Sequence, residues 1–226
     1  MLINTRTIER FKDAPFVGTE SENITIVGAG GTGSWLALFL SRHQHKLDIW
    51  DRDSYELVNM GGQAMLESYV GMNKAIAAKR LIKEFSPDTT VVAHHEHFTE
   101  NSHINPITFC CPDSMSTREL VFEKWHGLGD KRELFIEARL LAEEGTIYAV
   151  TQGNESRYLA TLFPDGEGHT PMCTFKQTTH SAALIGSLMV AIFSNYMANK
   201  LTGDVVRAIP FKSEFMLPLM MFNYEY

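Results

Sequence analysis

The chain has 226 residues, 44% of them hydrophobic and 21% charged, enough for one globular unit with a sizeable core. Its formal net charge of -7 excludes a broad electrostatic footprint for nucleic acid, although a few local cations suffice to hold a nucleotide. The three cysteines, Cys110, Cys111 and Cys173, include no Cys-x-x-Cys pair, which excludes a four-cysteine zinc site within one chain. Adjacent Cys110 and Cys111 lie in an apolar run and are expected as buried thiols of a reducing compartment. The opening MLINTRTIERFKD lacks the apolar core of a signal segment. The longest apolar run, 182–193, is interrupted by Gly186 and Ser187 and falls short of the roughly 20 residues that span a bilayer. A soluble, cytoplasmic protein with no membrane contact is expected.

In chain order, residues 24–27 (Ile-Thr-Ile-Val) read as a short buried strand. Residues 28–33 follow as a tight turn and 34–42 as a helix. Residues 47–50 read as a second strand, ended by Asp51-Arg52-Asp53. This strand–turn–helix–strand unit has the length of a Rossmann half. An Ala- and Lys-rich helix over 73–84 stops before Ser86-Pro87. Strands are predicted at 89–94, 107–111, 134–138, 146–151 and 158–163, and helices at 117–125 and 181–201. On the last helix Met189, Phe193 and Met197 stand at helical spacing and read as core. Alternating strands and helices predict an α/β fold, a Rossmann-like, mostly parallel sheet with helices on both faces, over residues 1–226 as one unit. The Met-, Phe- and Tyr-rich segment 215–226 reads either as a dimer interface or as a substrate groove.

The first unit carries the chemistry. Gly28-x-Gly30-x-x-Gly33 directly follows a strand and opens a helix, so that backbone can approach a phosphate-bearing ligand. Asp51, about 20 residues further on, is placed to accept hydrogen bonds from ribose hydroxyls. To this point NAD, FAD and ATP are all compatible. Asp51, Asp53 and Asp113 each follow a strand, where ligands bind on such sheets. The cluster His94, His95, His97 and His103 suggests a metal, but strand alternation separates His94 from His95 and no cysteine joins them, so a solvated strand end is the expectation.

Three further segments resolve the nucleotide. The run from Asp51-Arg52-Asp53 through Asn59 to Gly62-Gln63 resembles the ThiF, MoeB and ubiquitin-activating enzymes, which read Asp-x-Asp and then Asn-Leu-x-Arg-Gln. Gly71-Met72-Asn73-Lys74-Ala75 is similar to that family's Gly-x-x-Lys-Ala helix start, and Asp113 to Arg118 to its Asp-x-x-x-x-Arg segment. The resemblance implies adenylation of the C-terminal carboxylate of a small ubiquitin-like or sulfur-carrier protein with a Gly-ended tail, by a homodimer using ATP and Mg2+. It implies that Asp51 holds the ribose, Asn59 contacts the nucleotide, Gln63 shapes the phosphate pocket, Lys74 puts a point charge on the phosphates and Asp113 binds magnesium. Arg118 is implied to support the Asp113 loop, as a structural ion pair or as a ligand.

The chain departs from the family at Gly62, where the family has an Arg that stabilises charge on the transferring phosphoryl group. Losing one such donor slows a reaction by on the order of 10²–10³. Arg6 or Arg10 from a dimer partner, or Arg52 or Lys79 nearby, are the candidate replacements. In the second half, 135–139 and 158–164 resemble bacterial and phage ThiF-type adenylyltransferases, and Pro171-Met172-Cys173-Thr174 fills the place of their Pro-Cys-Thr. Cys173 is then either a nucleophile that takes the acyl group as a thioester or an inert cysteine at a helix start. Three other functions remain open: a non-catalytic binding or regulatory member of the same fold, favoured by Gly62; an NAD-dependent oxidoreductase, which leaves Asn59, Gln63, Lys74 and Asp113 unexplained; and activation of a small peptide or metabolite carboxylate.

Overall fold

The computed structural model describes residues 9, 13–18, 20–167 and 177–226. Eight strands form one sheet: β1 (Asn23–Val27), β2 (Lys46–Trp50), β3 (Val91–His94), β4 (Ile107–Cys110), β5 (Leu134–Leu141), β6 (Glu144–Val150), β7 (Lys212–Met216) and β8 (Met221–Glu225). Their order is β3-β2-β1-β4-β5-β6-β7-β8. The first five are parallel; β5 to β8 continue as an antiparallel meander. The α/β, Rossmann-like expectation holds, with the meander as its extension.

Strand alternation sends successive side chains to opposite faces. Ile24, Ile26, Leu47, Ile49, Ile107, Phe109, Leu134 and Ile136 share one core with α1 (Gly31–Leu40), α2 (Lys74–Phe85) and α5 (Thr179–Thr202). Val27, Trp50, Cys110, Phe135 and Val150 point the other way, into a core closed by Val121, Phe122 and Trp125 of α3 (Met115–His126) and Tyr158 of α4 (Glu155–Leu159). Helices α1 and α5 meet almost backbone to backbone: a Cβ on Gly186 would lie 2.9 Å from the Leu36 nitrogen. By length and composition α5 is apolar enough to cross a bilayer. Here Ile185, Met189, Phe193 and Met197 are buried in the core, which accounts for that apolarity.

Two segments differ from or complete the sequence reading. Residues 158–163 are not a strand; α4 ends at Leu159 and turns follow. Tyr158 and Leu162, four apart, are the inward residues of this stretch, a helical spacing that a short apolar run conceals. Residues 215–226 fall within the β7–β8 hairpin, which begins at Lys212 and turns at Met220 in the left-handed region (φ 51°), and every residue of the edge strand β8 is exposed.

Candidate functional site

The chain runs outward from β1 through β2 to β3 and then crosses back to β4 on the other side of β1, so the carboxyl ends of β1 and β4 flank a topological switch point, where such sheets bind ligands. Gly28 stands there at φ +91°, and a Cβ on it would lie 2.6 Å from the Cys111 carbonyl of the neighbouring strand end. A Cβ on Gly33 would overlap the Gly28 carbonyl. Both positions therefore require glycine, and the loop folds tightly onto the start of α1. Gly30 faces open space and caps α1 without a side-chain hydrogen bond. The first-turn N–H groups of α1 are thus left for a ligand or solvent.

Asp51 ties that loop to β2. Its Oδ2 accepts from the Ala29 N–H (2.7 Å) and its Oδ1 from the Asp53 N–H (2.8 Å). Burial raises its pKa, and the two backbone donors oppose the shift. Asn73 caps α2, accepting from the Ile76 N–H (3.2 Å), while its amide donates to the Asp51 carbonyl (2.7 Å) and the Asp53 carbonyl (3.0 Å). This clamp brings the first residue of α2, Lys74, to the same rim; its Nζ lies 3.4 Å from an Asp53 oxygen. Asp53 also faces Arg52 at 3.4 Å and is half exposed. Asn59 closes a short 3-10 turn by accepting from the Glu56 N–H (2.9 Å). Gln63 is buried, and its Oε1 has no partner among the described residues. The Trp35 indole N–H donates to the Gly62 carbonyl (3.0 Å), locking the 61–63 turn against α1.

Asp113 lies exposed beyond β4, at the mouth of a pocket of about 540 Å³ between α3 and the meander. Its wall includes Arg139, Leu141, Glu144, Phe163, Phe215 and Met221. Arg118 holds the Asp113 loop: its Nη2 donates to the Pro112 carbonyl (2.5 Å), and its Nη1 to the Ala138 carbonyl (2.9 Å) and the Glu137 carboxylate. Fully buried Glu137 also takes the Arg139 guanidinium (2.9 Å), which is fixed in turn by the Thr161 carbonyl (2.9 Å). Arg118 is accordingly a structural ion pair. Asp165 accepts from the Met115 N–H (2.6 Å) and the Ser116 N–H (3.2 Å), beside Asp113. These hydrogen bonds at the start of α3, led by one from the Ser116 side chain, hold its carboxyl below the usual range.

The glycine loop, Asp51 and Asp113 thus follow the carboxyl ends of β1, β2 and β4; Asp53 and Lys74 join Asp51 at the end of β2, and the turn that holds Gln63 is tied to α1, while the pocket beside Asp113 is lined by none of the others. Cys173, Arg6 and Arg10 lie outside the described residues. Burial pushes the Cys111 thiol up to about 12 and raises Cys110 as well, so neither supplies a thiolate. Arg52 meets His97 (2.8 Å), His94 stacks on Trp50 (3.8 Å between ring centres) and His103 meets Asn105 (3.1 Å), so these histidines do not converge. No group of three or more potential metal ligands forms among the described residues. Asp113 as a lone exposed carboxylate still fits magnesium, which takes one or two carboxylates and completes its shell with phosphates and water. Sequence reasoning missed Gln177, whose amide lies against Gly31 and Gly62. A polar residue in a polar loop carries no signal of that contact.

The ThiF family matches residues 6–216. The chain belongs to the ThiF family. Rat ubiquitin-like modifier-activating enzyme 5 is 36% identical to it over 85 residues, which cover 33% of this ThiF-family chain and 21% of that protein. The same enzyme of Drosophila mojavensis is 35% identical over 77 residues, covering 34% and 19%. The chain therefore spans about a fifth of the length of the curated relatives it matches. Among solved structures, PaaA aligns with a TM-score of 0.71 at 17% identity, covering 99% of this chain and 74% of that one. Escherichia coli MccB with ATP aligns at 0.68 and 12% identity, covering 99% and 71%. At such identities these likenesses establish the fold.

Proposed function

We propose that this protein adenylates the C-terminal carboxylate of a small ubiquitin-like or sulfur-carrier protein with a Gly-ended tail, acting as a cytoplasmic homodimer. The observation that carries the reading is the meeting of glycine loop, Asp51, Lys74 and Asp113 at one switch point of the sheet. The family membership and the local likeness to ubiquitin-like modifier-activating enzyme 5 support it.

In this reading the α1 N-terminus and Lys74 bind the phosphates of ATP, Asp51 the ribose, and Asn59 and Gln63 line the nucleotide wall. Magnesium, held by Asp113, would neutralise charge on the leaving pyrophosphate. The acceptor carboxylate is ionised near neutral pH and needs no general base. One of its oxygens attacks the α-phosphorus, the bond to the bridging oxygen breaks, and pyrophosphate leaves an acyl-adenylate. The protein's contribution is positioning and charge neutralisation. The pocket beside Asp113, with Leu141, Phe163, Phe215 and Met221 in its wall, is the place for the acceptor tail.

The acyl group then passes to a sulfur carrier or to the Cys173 thiolate, which expels AMP.

Thermal unfolding with Mg-ATP, with NAD and with neither tests the reading. A ligand of the folded state alone stabilises by about 2.7 kcal/mol at a hundredfold excess over Kd. A magnesium-dependent rise with ATP, lost in Asp113→Ala, is the expected result. A rise with NAD alone would restore the oxidoreductase reading. No shift with either would favour the non-catalytic reading, which Gly62 supports.

A further inference from the structure

We propose that Gln177 replaces the side chain missing at Gly62, with its amide donating a hydrogen bond to the triphosphate of ATP seated on the glycine loop; this rests on the adenylation reading. Two independent contacts place it there. A Cβ on Gly31, the first residue of α1, would overlap the Gln177 amide. A Cβ on Gly62 would lie 3.0 Å from Gln177 Cγ and 3.2 Å from its Nε2. The side chain of Gln177 therefore occupies the space into which a residue at 62 would project, and it brings a hydrogen-bond donor to the N-terminal end of α1. Among the described residues that amide makes no hydrogen bond.

The helix start that directly follows it is held firmly. Thr178 caps α5 in a reciprocal pair with Ser181: Thr178 Oγ1 accepts from the Ser181 N–H (3.3 Å), and Ser181 Oγ accepts from the Thr178 N–H (3.1 Å). The Thr179 hydroxyl donates to the Gly61 carbonyl (2.7 Å), and the Ser181 hydroxyl to the Ala142 carbonyl (2.7 Å). The start of α5 is thereby pinned to the 61–63 turn, itself pinned to α1 through Trp35. A side chain on so fixed a support is a preorganised donor, which needs little rearrangement when charge arrives. The exchange is asymmetric: a neutral amide supplies a hydrogen bond where a guanidinium would supply a full charge. Lys74, which faces Asp53 at 3.4 Å, then supplies the full positive charge at this rim.

The test is titration of Mg-ATP and of AMP, by calorimetry, against the full chain and four variants. Gln177→Ala and the near-isosteric Gln177→Glu are expected to weaken Mg-ATP by about tenfold or more, the scale of a hydrogen bond to a charged group, and to leave AMP binding unchanged. Gly62→Arg alone is expected not to tighten Mg-ATP, because Gln177 fills its path. Gly62→Arg combined with Gln177→Ala opens that space and is expected to restore wild-type affinity or exceed it. Equal Mg-ATP affinity in wild type, Gln177→Ala and Gln177→Glu would overturn the inference while leaving the adenylation reading in place. So would a Gly62→Arg single variant as tight as the double. A wild-type protein that does not bind Mg-ATP would overturn both. Circular dichroism of each variant separates loss of the donor from loss of the fold.

Discussion

Replacing Glu137 by Gln removes one negative charge from a place where two guanidiniums share it. Glu137 is 0% exposed, and the Arg118 and Arg139 side chains are 8% and 19% exposed. The uncharged amide leaves both cations facing each other with little water to separate them. Breaking a buried ion pair on one side costs about 3–5 kcal/mol, since the remaining charge stays desolvated. In a chain of this length each kcal/mol moves the midpoint by about 2–4 °C, so Glu137→Gln should unfold about 6–20 °C lower. The readout is the thermal midpoint followed by circular dichroism at neutral pH. Because Arg118 also holds the Pro112 carbonyl, the extra stabilisation by Mg-ATP should shrink in the same variant. A midpoint within about 2 °C of wild type, equivalent to 1 kcal/mol or less, would refute the argument that this triad is desolvated and interdependent.

Burial lowers the His45 pKa from 6.5 to about 3, so His45 stays neutral in the fold and takes up a proton on unfolding below pH 6.5. That contribution to stability is complete above pH 6.5 and is lost as pH falls towards 3; at pH 5 about 2 kcal/mol is gone. Urea unfolding at pH 7.5 and pH 5 should show this loss in wild type and a smaller one in His45→Asn, which keeps an acceptor for the Glu22 N–H; equal losses would refute it. Gly33→Ala forces a Cβ onto the Gly28 carbonyl and should cost about 1–3 kcal/mol while abolishing stabilisation by Mg-ATP. An unchanged midpoint and an unchanged ATP response in that variant would mean that the loop yields more easily than its geometry allows.

Much of the site was legible in the sequence because it depends on local rules. Residues 24–27 and 47–50 are short apolar runs bounded by turn residues, and Gly28-x-Gly30-x-x-Gly33 needs its glycines for reasons of local sterics. Asp51 and Asp113 follow strands, so a parallel sheet carries them to one edge whatever else the chain does. The α/β class, the ligand edge of the sheet and the family resemblance follow from that pattern. Residues 158–163 were misread because a short apolar run has no decisive period; the packing of Tyr158 against Phe122 and Phe135 selects the helix. The antiparallel meander was also hidden, since Lys212–Met216 finds its register only against Glu144–Tyr148, about 70 residues away. Tertiary structure alone decided that Glu137 is shared by two arginines, that Asn73 clamps α2 to the end of β2, and that Gln177 fills the space beside Gly62. These are meetings of polar side chains from distant segments. Hydrophobic period and turn chemistry do not encode such meetings, because they follow from where the packed elements leave room and which buried groups still require a partner.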